Sequence, residues 1–156
     1  MVNRSFVVRS MVVVLIGAGT FFFSYITSED VSTEAEVLGS SYFLYTTDHY
    51  QESRGEHDVT VLNFHADWCP SCSEFEPTLI QAIEESSTDT NLIAYRVPFG
   101  DEGESKEGKE LAEVYGVKMQ TTTLILNRRG EVFKSYFTPV DKSEVTSTIR
   151  AAAISE

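Results

Sequence analysis

A single junction constrains this chain more than any other feature. Residues Val59-Thr-Val-Leu-Asn-Phe-His65 form a β-branched and aromatic run. Three residues later Cys69-Pro70-Ser71-Cys72 opens a stretch in which Cys72, Phe75, Leu79, Ala82 and Ile83 recur at helical spacing. A central strand leading into a long amphipathic helix, with a second apolar strand over residues 92–97, is a strand–helix–strand unit whose strands pair in parallel. The flanks follow the same punctuation. Residues 42–45 read as a short aromatic strand, and Thr47 or Asp48 as the cap of a helix reaching Arg54 and stopped by Gly55. A later helix, with Leu111, Val114 and Tyr115 on one face, ends at Gly116, which suits a left-handed terminal position. Residues 122–126 and 131–137 flank an Asn127-Arg128-Arg129-Gly130 turn, and 141–153 form a closing helix with Val145, Ile149 and Ala152 inward. The order β-α-β-α-β-α-β-β-α predicts an α/β domain: a mixed central sheet with helices on both faces.

Charge divides the chain into unlike parts. The net charge is −12, yet residues 1–28 carry Arg4, Arg9 and no acid, so residues 29–156 bear −14. Long-range repulsion of phosphates therefore argues against a nucleic-acid partner. Sixteen uncharged residues, 11–26, lie between the arginines and Glu29-Asp30, the pattern of a segment whose N-terminus stays in the cytoplasm. The alternatives are a cleaved signal peptide and a buried core helix. Small residues at a cleavage site are lacking, and three successive Phe would need another domain to cover them, so the expectation is an uncleaved transmembrane anchor at 1–28. Residues 29–41 are acidic and small and read as a linker, leaving 42–156 as the functional domain, a monomer held outside the cytoplasm.

Only two cysteines are present, which excludes a disulfide-stapled miniature fold and a four-thiolate zinc site. Three readings of the pair remain: a zinc half-site helped by His49, His57 or His65, a structural disulfide, and a redox dithiol. The junction favours the last. It places Cys69 at a helix N-terminus, where unpaired N–H groups and the dipole favour a thiolate, with Cys72 one turn inside to attack a mixed disulfide on Cys69. Pro70 pre-sets the first turn, Ser71 offers a hydroxyl to the exposed Cys69, and Trp68 offers a flat apolar contact to a partner. No cofactor or metal is expected. The acids Asp67, Glu74 and Glu76 crowd the pair and oppose the dipole, arguing against a strongly acidic nucleophile.

The segment Val61-Leu-Asn-Phe-His-Ala-Asp-Trp-Cys-Pro-Ser-Cys-Ser-Glu-Phe-Glu-Pro77 resembles the active-site segment of the thioredoxin superfamily, through Phe64, Ala66, Trp68, both cysteines and Pro77. Residues 115–126 resemble the family's approach to the strand opposite the site, and 127–132 its hairpin. The resemblance covers about 42–154 and implies a thioredoxin-like fold. It also implies a thiol–disulfide oxidoreductase with a redox-active Cys69–Cys72 disulfide, acting on exported protein thiols and disulfides and served by a membrane or extracytoplasmic redox partner. Two positions depart from the pattern. Asn63 stands where the family has a buried acid, so proton removal from Cys72 falls to water or a neighbouring carboxylate. Thr121 stands where it has a cis-proline, so a trans or strained peptide is expected there. These departures motivate the alternative of a redox-inactive binding or adaptor domain. The acidic loop 100–108 is read as a solvated insertion or a partner contact.

Overall fold

The structure, a computed structural model describing residues 35–100 and 104–155, runs β1 (Val37–Gly39), β2 (Tyr42–Leu44), α1 (Thr47–Ser53), β3 (Val59–His65), α2 (Pro70–Ser86), β4 (Leu92–Pro98), α3 (Lys106–Val114), β5 (Thr122–Asn127), β6 (Val132–Tyr136) and α4 (Lys142–Ala153). One sheet of order β1-β2-β4-β3-β5-β6 results. Strand β3 pairs in parallel with β4 and antiparallel with β5, so the sheet is mixed and β3 lies inside it.

Side-chain alternation sorts the core into two layers. Val59 and Val61 of β3, with Leu92 and Ala94 of β4, pack against Phe75, Leu79 and Ile83 of α2 and Val145 and Ile149 of α4. Leu62 and Phe64, with Ile93, Tyr95 and Val97, meet Tyr50 of α1 and Leu111 and Ala112 of α3 on the opposite face. Asn63 and His65 continue the Val59–Val61 row, so polar groups lie on the α2 side at the end of β3 nearest the cysteines.

Several expectations shift. Residues 37–39, read from sequence as linker, form β1, which pairs antiparallel with β2 through a register irregularity. Thr46, rather than Thr47 or Asp48, caps α1 by accepting from the His49 N–H. The acidic stretch 100–108 is only partly loop, because α3 begins at Lys106 under a Ser105 cap. Val114 is 78% exposed instead of facing the core. The buried face of α3 runs through Gly108, Leu111 and Ala112. A Cβ on Gly108 would come within 3.2 Å of the Pro98 carbonyl, so glycine lets the helix start lie against β4. Gly116 has φ +67 and donates to the Glu113 carbonyl, as expected of a helix end. The anchor expected at 1–28 lies outside the described residues; among those described, no helix is long and apolar enough to cross a membrane.

Candidate active site at the strand–helix junction

Cys69 is the N-cap of α2, its extended backbone feeding Pro70 as the first helical residue, and its Sγ accepts from the Cys72 N–H at 3.3 Å. Pro70 has no N–H to leave unsatisfied and its ring fixes φ near the helical value, which explains why the turn forms here. The two sulfurs are joined in a disulfide, with Cα atoms 5.3 Å apart. Ser71 Oγ lies 3.4 Å from Cys69 Sγ, where a hydroxyl can stabilise a developing thiolate. Contrary to the expected exposed nucleophile, Cys69 is 4% exposed and Cys72 3%, packed with Ala66. Trp68, by contrast, is 60% exposed and anchored by its Nε1–H to the Gly100 carbonyl at 2.9 Å. It directly precedes Cys69 in the chain.

Behind the sulfurs runs a row of polar side chains. Thr123 Oγ1 donates to Asn63 Oδ1 at 3.1 Å, Asn63 Nδ2 donates to the Tyr42 hydroxyl at 2.9 Å, and that hydroxyl donates to Glu76 Oε1 at 2.8 Å. Burial and the Glu76 charge hold the Tyr42 phenol well above its ordinary range. Arg96 of β4 completes the row. Its guanidinium pairs with Asp67, donates to His65 Nδ1 at 2.8 Å and lies 3.6 Å from Glu76 Oε1. Two of the three acids expected to crowd the cysteines are therefore compensated by one arginine. Sequence reading missed Arg96 and Tyr42. The available signal was a lone cation inside the apolar run Leu92–Pro98, since a charge on a central strand requires a partner.

Antiparallel pairing brings the start of β5 beside the end of β3, and with it Thr121, whose N–H donates to the Phe64 carbonyl at 3.0 Å. The described chain has no cis peptide bond, so Thr121 follows a trans bond; it carries the strain in φ instead, at +69°. Asn63 lies on the α2 side of the sheet, where its amide accepts from Thr123 and donates to Tyr42. His49 contacts the Tyr95 hydroxyl and His57 the Ser53 carbonyl, apart from His65. Among the described residues no group of three or more His, Cys, Asp or Glu is placed to hold a metal ion.

The thioredoxin family model matches residues 41–151. The chain belongs to the thioredoxin family. Protein disulfide-isomerase of Ricinus communis is 25% identical over 131 residues, covering 83% of this chain but 26% of that protein. Protein disulfide-isomerase of Datisca glomerata is 26% identical over 132 residues, again covering 83% of this chain and 25% of the relative. The chain thus spans about a quarter of the length of the curated relatives it matches. The first thioredoxin domain of mouse protein disulfide-isomerase A4 superposes with a TM-score of 0.63 at 19% identity, over 83% of this chain and 87% of that one, a likeness of fold. The thioredoxin domain described here thus keeps the fold and the cysteine pair while its buried polar row is centred on Glu76 of the helix.

Proposed function

We propose that this thioredoxin domain is a thiol–disulfide oxidoreductase acting on exported protein thiols and disulfides outside the cytoplasm. It works as a monomer tethered through residues 1–28 and exchanges electrons with a membrane or extracytoplasmic redox partner. The observation carrying the reading is the Cys69–Cys72 disulfide capping α2 beside an exposed Trp68. A partner thiolate attacks Cys69, or in the reduced state Cys69 attacks a partner disulfide, and Cys72 resolves the mixed disulfide. The Ser71 hydroxyl and Cys72 N–H directed at Cys69 Sγ favour its thiolate, which stabilises the reduced form and makes the disulfide more oxidising. Oxidation or isomerisation of partners is the direction this supports.

The reading is tested by Cys72→Ser. In cells this variant should accumulate mixed disulfides through Cys69, and purified wild type should exchange with a model disulfide; absence of both would remove the enzyme reading. A reduction potential above about −230 mV is expected, and a value near about −270 mV would reverse the direction. The adaptor alternative draws on Thr121, whose N–H is already bonded within the domain and so is not offered to an incoming strand. It predicts partner binding that survives Cys69→Ser/Cys72→Ser.

A further inference from the structure

Cys72 is 3% exposed, so whenever it attacks or leaves as a thiolate its proton must be taken up or returned inside the domain. We infer that Glu76 is the group that accepts this proton, an assignment that rests on the oxidoreductase reading above. Glu76 follows Cys72 by four residues on α2, which puts the two on one helical face with Cβ atoms about 5–6 Å apart, a gap spanned directly or through one water. Its side chain is 17% exposed and retains a path to solvent.

The neighbouring groups exclude other acceptors. Arg96 donates to His65 Nδ1, and a guanidinium has no acceptor atom, so Nδ1 must be the unprotonated nitrogen. The His65 proton then sits on Nε2, which faces Glu76 Oε2 at 3.6 Å, so neither ring nitrogen is available as a base. Asn63 is an amide. Asp67 is 81% exposed and paired with Arg96, and Glu74 points about 200° around the helix from Cys72. Tyr42 from β2 donates to Glu76 Oε1, Arg96 from β4 lies 3.6 Å from the same oxygen, and His65 Nε2 from β3 lies 3.6 Å from Oε2. A carboxylate offers about four acceptor positions, so these three leave room for the incoming proton.

The step balances. With a partner disulfide bound through Cys69, the Cys72 S–H bond breaks and its proton passes to Glu76. The sulfur electron pair forms the Cys72–Cys69 bond, and the Cys69–partner bond breaks with its pair leaving on the partner sulfur. The domain is oxidised by two electrons and the partner reduced by two; in reverse, Glu76 returns the proton to Cys72.

The test mixes the reduced full chain with oxidised glutathione and follows two phases, formation of the Cys69 mixed disulfide and its resolution. In Glu76→Gln the first phase should not slow. The second should fall about a hundredfold at pH 7 and approach wild type near pH 9, where solvent deprotonates an ordinary thiol. Resolution within twofold of wild type at pH 7 would overturn the assignment. An independent reading needs no variant: the Glu76 side-chain carboxyl ¹³C resonance should titrate differently in reduced and disulfide wild type, because a carboxylate and a thiol sharing a proton are coupled. Identical curves in the two states would also overturn it. A wild type that shows no first phase removes the oxidoreductase reading itself, and the Glu76 assignment falls with it.

Discussion

Asn63 accepts from Thr123 and donates to Tyr42, and Tyr42 donates to Glu76, so the direction of the row depends on an amide within it. An aspartate at 63, the residue type the family resemblance anticipates, would have no hydrogen to give Tyr42 and would compete with Glu76 for the single Tyr42 proton. Asn63→Asp should therefore cost about 1–3 kcal/mol in chemical denaturation at pH 7. The loss should shrink as pH falls toward about 4, the unfolded carboxylate value, because the buried carboxyl takes up its proton above that pH and donates again. Thr121 makes the complementary point. Its φ of +69° disfavours a β-branched side chain, so Thr121→Gly should raise stability by up to about 1 kcal/mol. Thr121→Pro should lower it by about 3 kcal/mol, because the ring cannot adopt that φ and removes the N–H bonded to Phe64. Thermal midpoints of the two variants on opposite sides of wild type would check both.

Helix α2 and the turn that follows it are joined to α4 at the surface by Glu85 with Lys142 at 2.8 Å and Asp89 with Arg150 at 3.0 Å. Each carboxyl is held below its usual range chiefly by a hydrogen bond from that cation. A lowered folded value means that the stabilisation is present above the unfolded carboxylate pKa near 4 and is lost as pH falls through the folded value. Lys142→Ala/Arg150→Ala should accordingly flatten the fall in thermal midpoint between pH 6 and pH 3. The effect should be small and weaken in salt, because both pairs are exposed. At this scale the sequence was legible wherever a long period existed: the alternation of β3, the helical stripe of α2 and the turn closed by Gly130 all stand in the structure. Strand β1 was not, since three residues carry no period and its partners are Tyr42 and Phe43 across a bulge. Val114 was misplaced because Leu111 is compatible with either neighbouring phase, and the close approach at Gly108 decides between them. The site divides in the same way. Cys69 and Cys72 announce themselves by spacing, whereas Arg96, Tyr42 and Glu76 meet only after two strands and a helix come together.

Across the whole domain, Tyr42, Tyr45, Tyr50, Tyr95 and Tyr136 all have phenols raised from the ordinary value of 10.0, in each case first by burial. Groups raised in this way favour the folded state fully below the unfolded pKa and lose that contribution as pH climbs toward the folded one. Urea midpoints should thus hold to about pH 10 and then decline steeply, and Tyr42→Phe should soften the decline. A less obvious consequence follows from the alternation of β3. Sliding that strand by one residue would move Asn63 and His65 among Tyr95, Val97 and Leu124, with no partner for either, and would carry Leu62 and Phe64 onto Tyr42 and Glu76. The row behind the cysteines is therefore also a lock on strand pairing. A misaligned chain would lack the polar row that surrounds Glu76, so under the role proposed for Glu76 the molecules equipped to resolve mixed disulfides would be those that have already paired correctly.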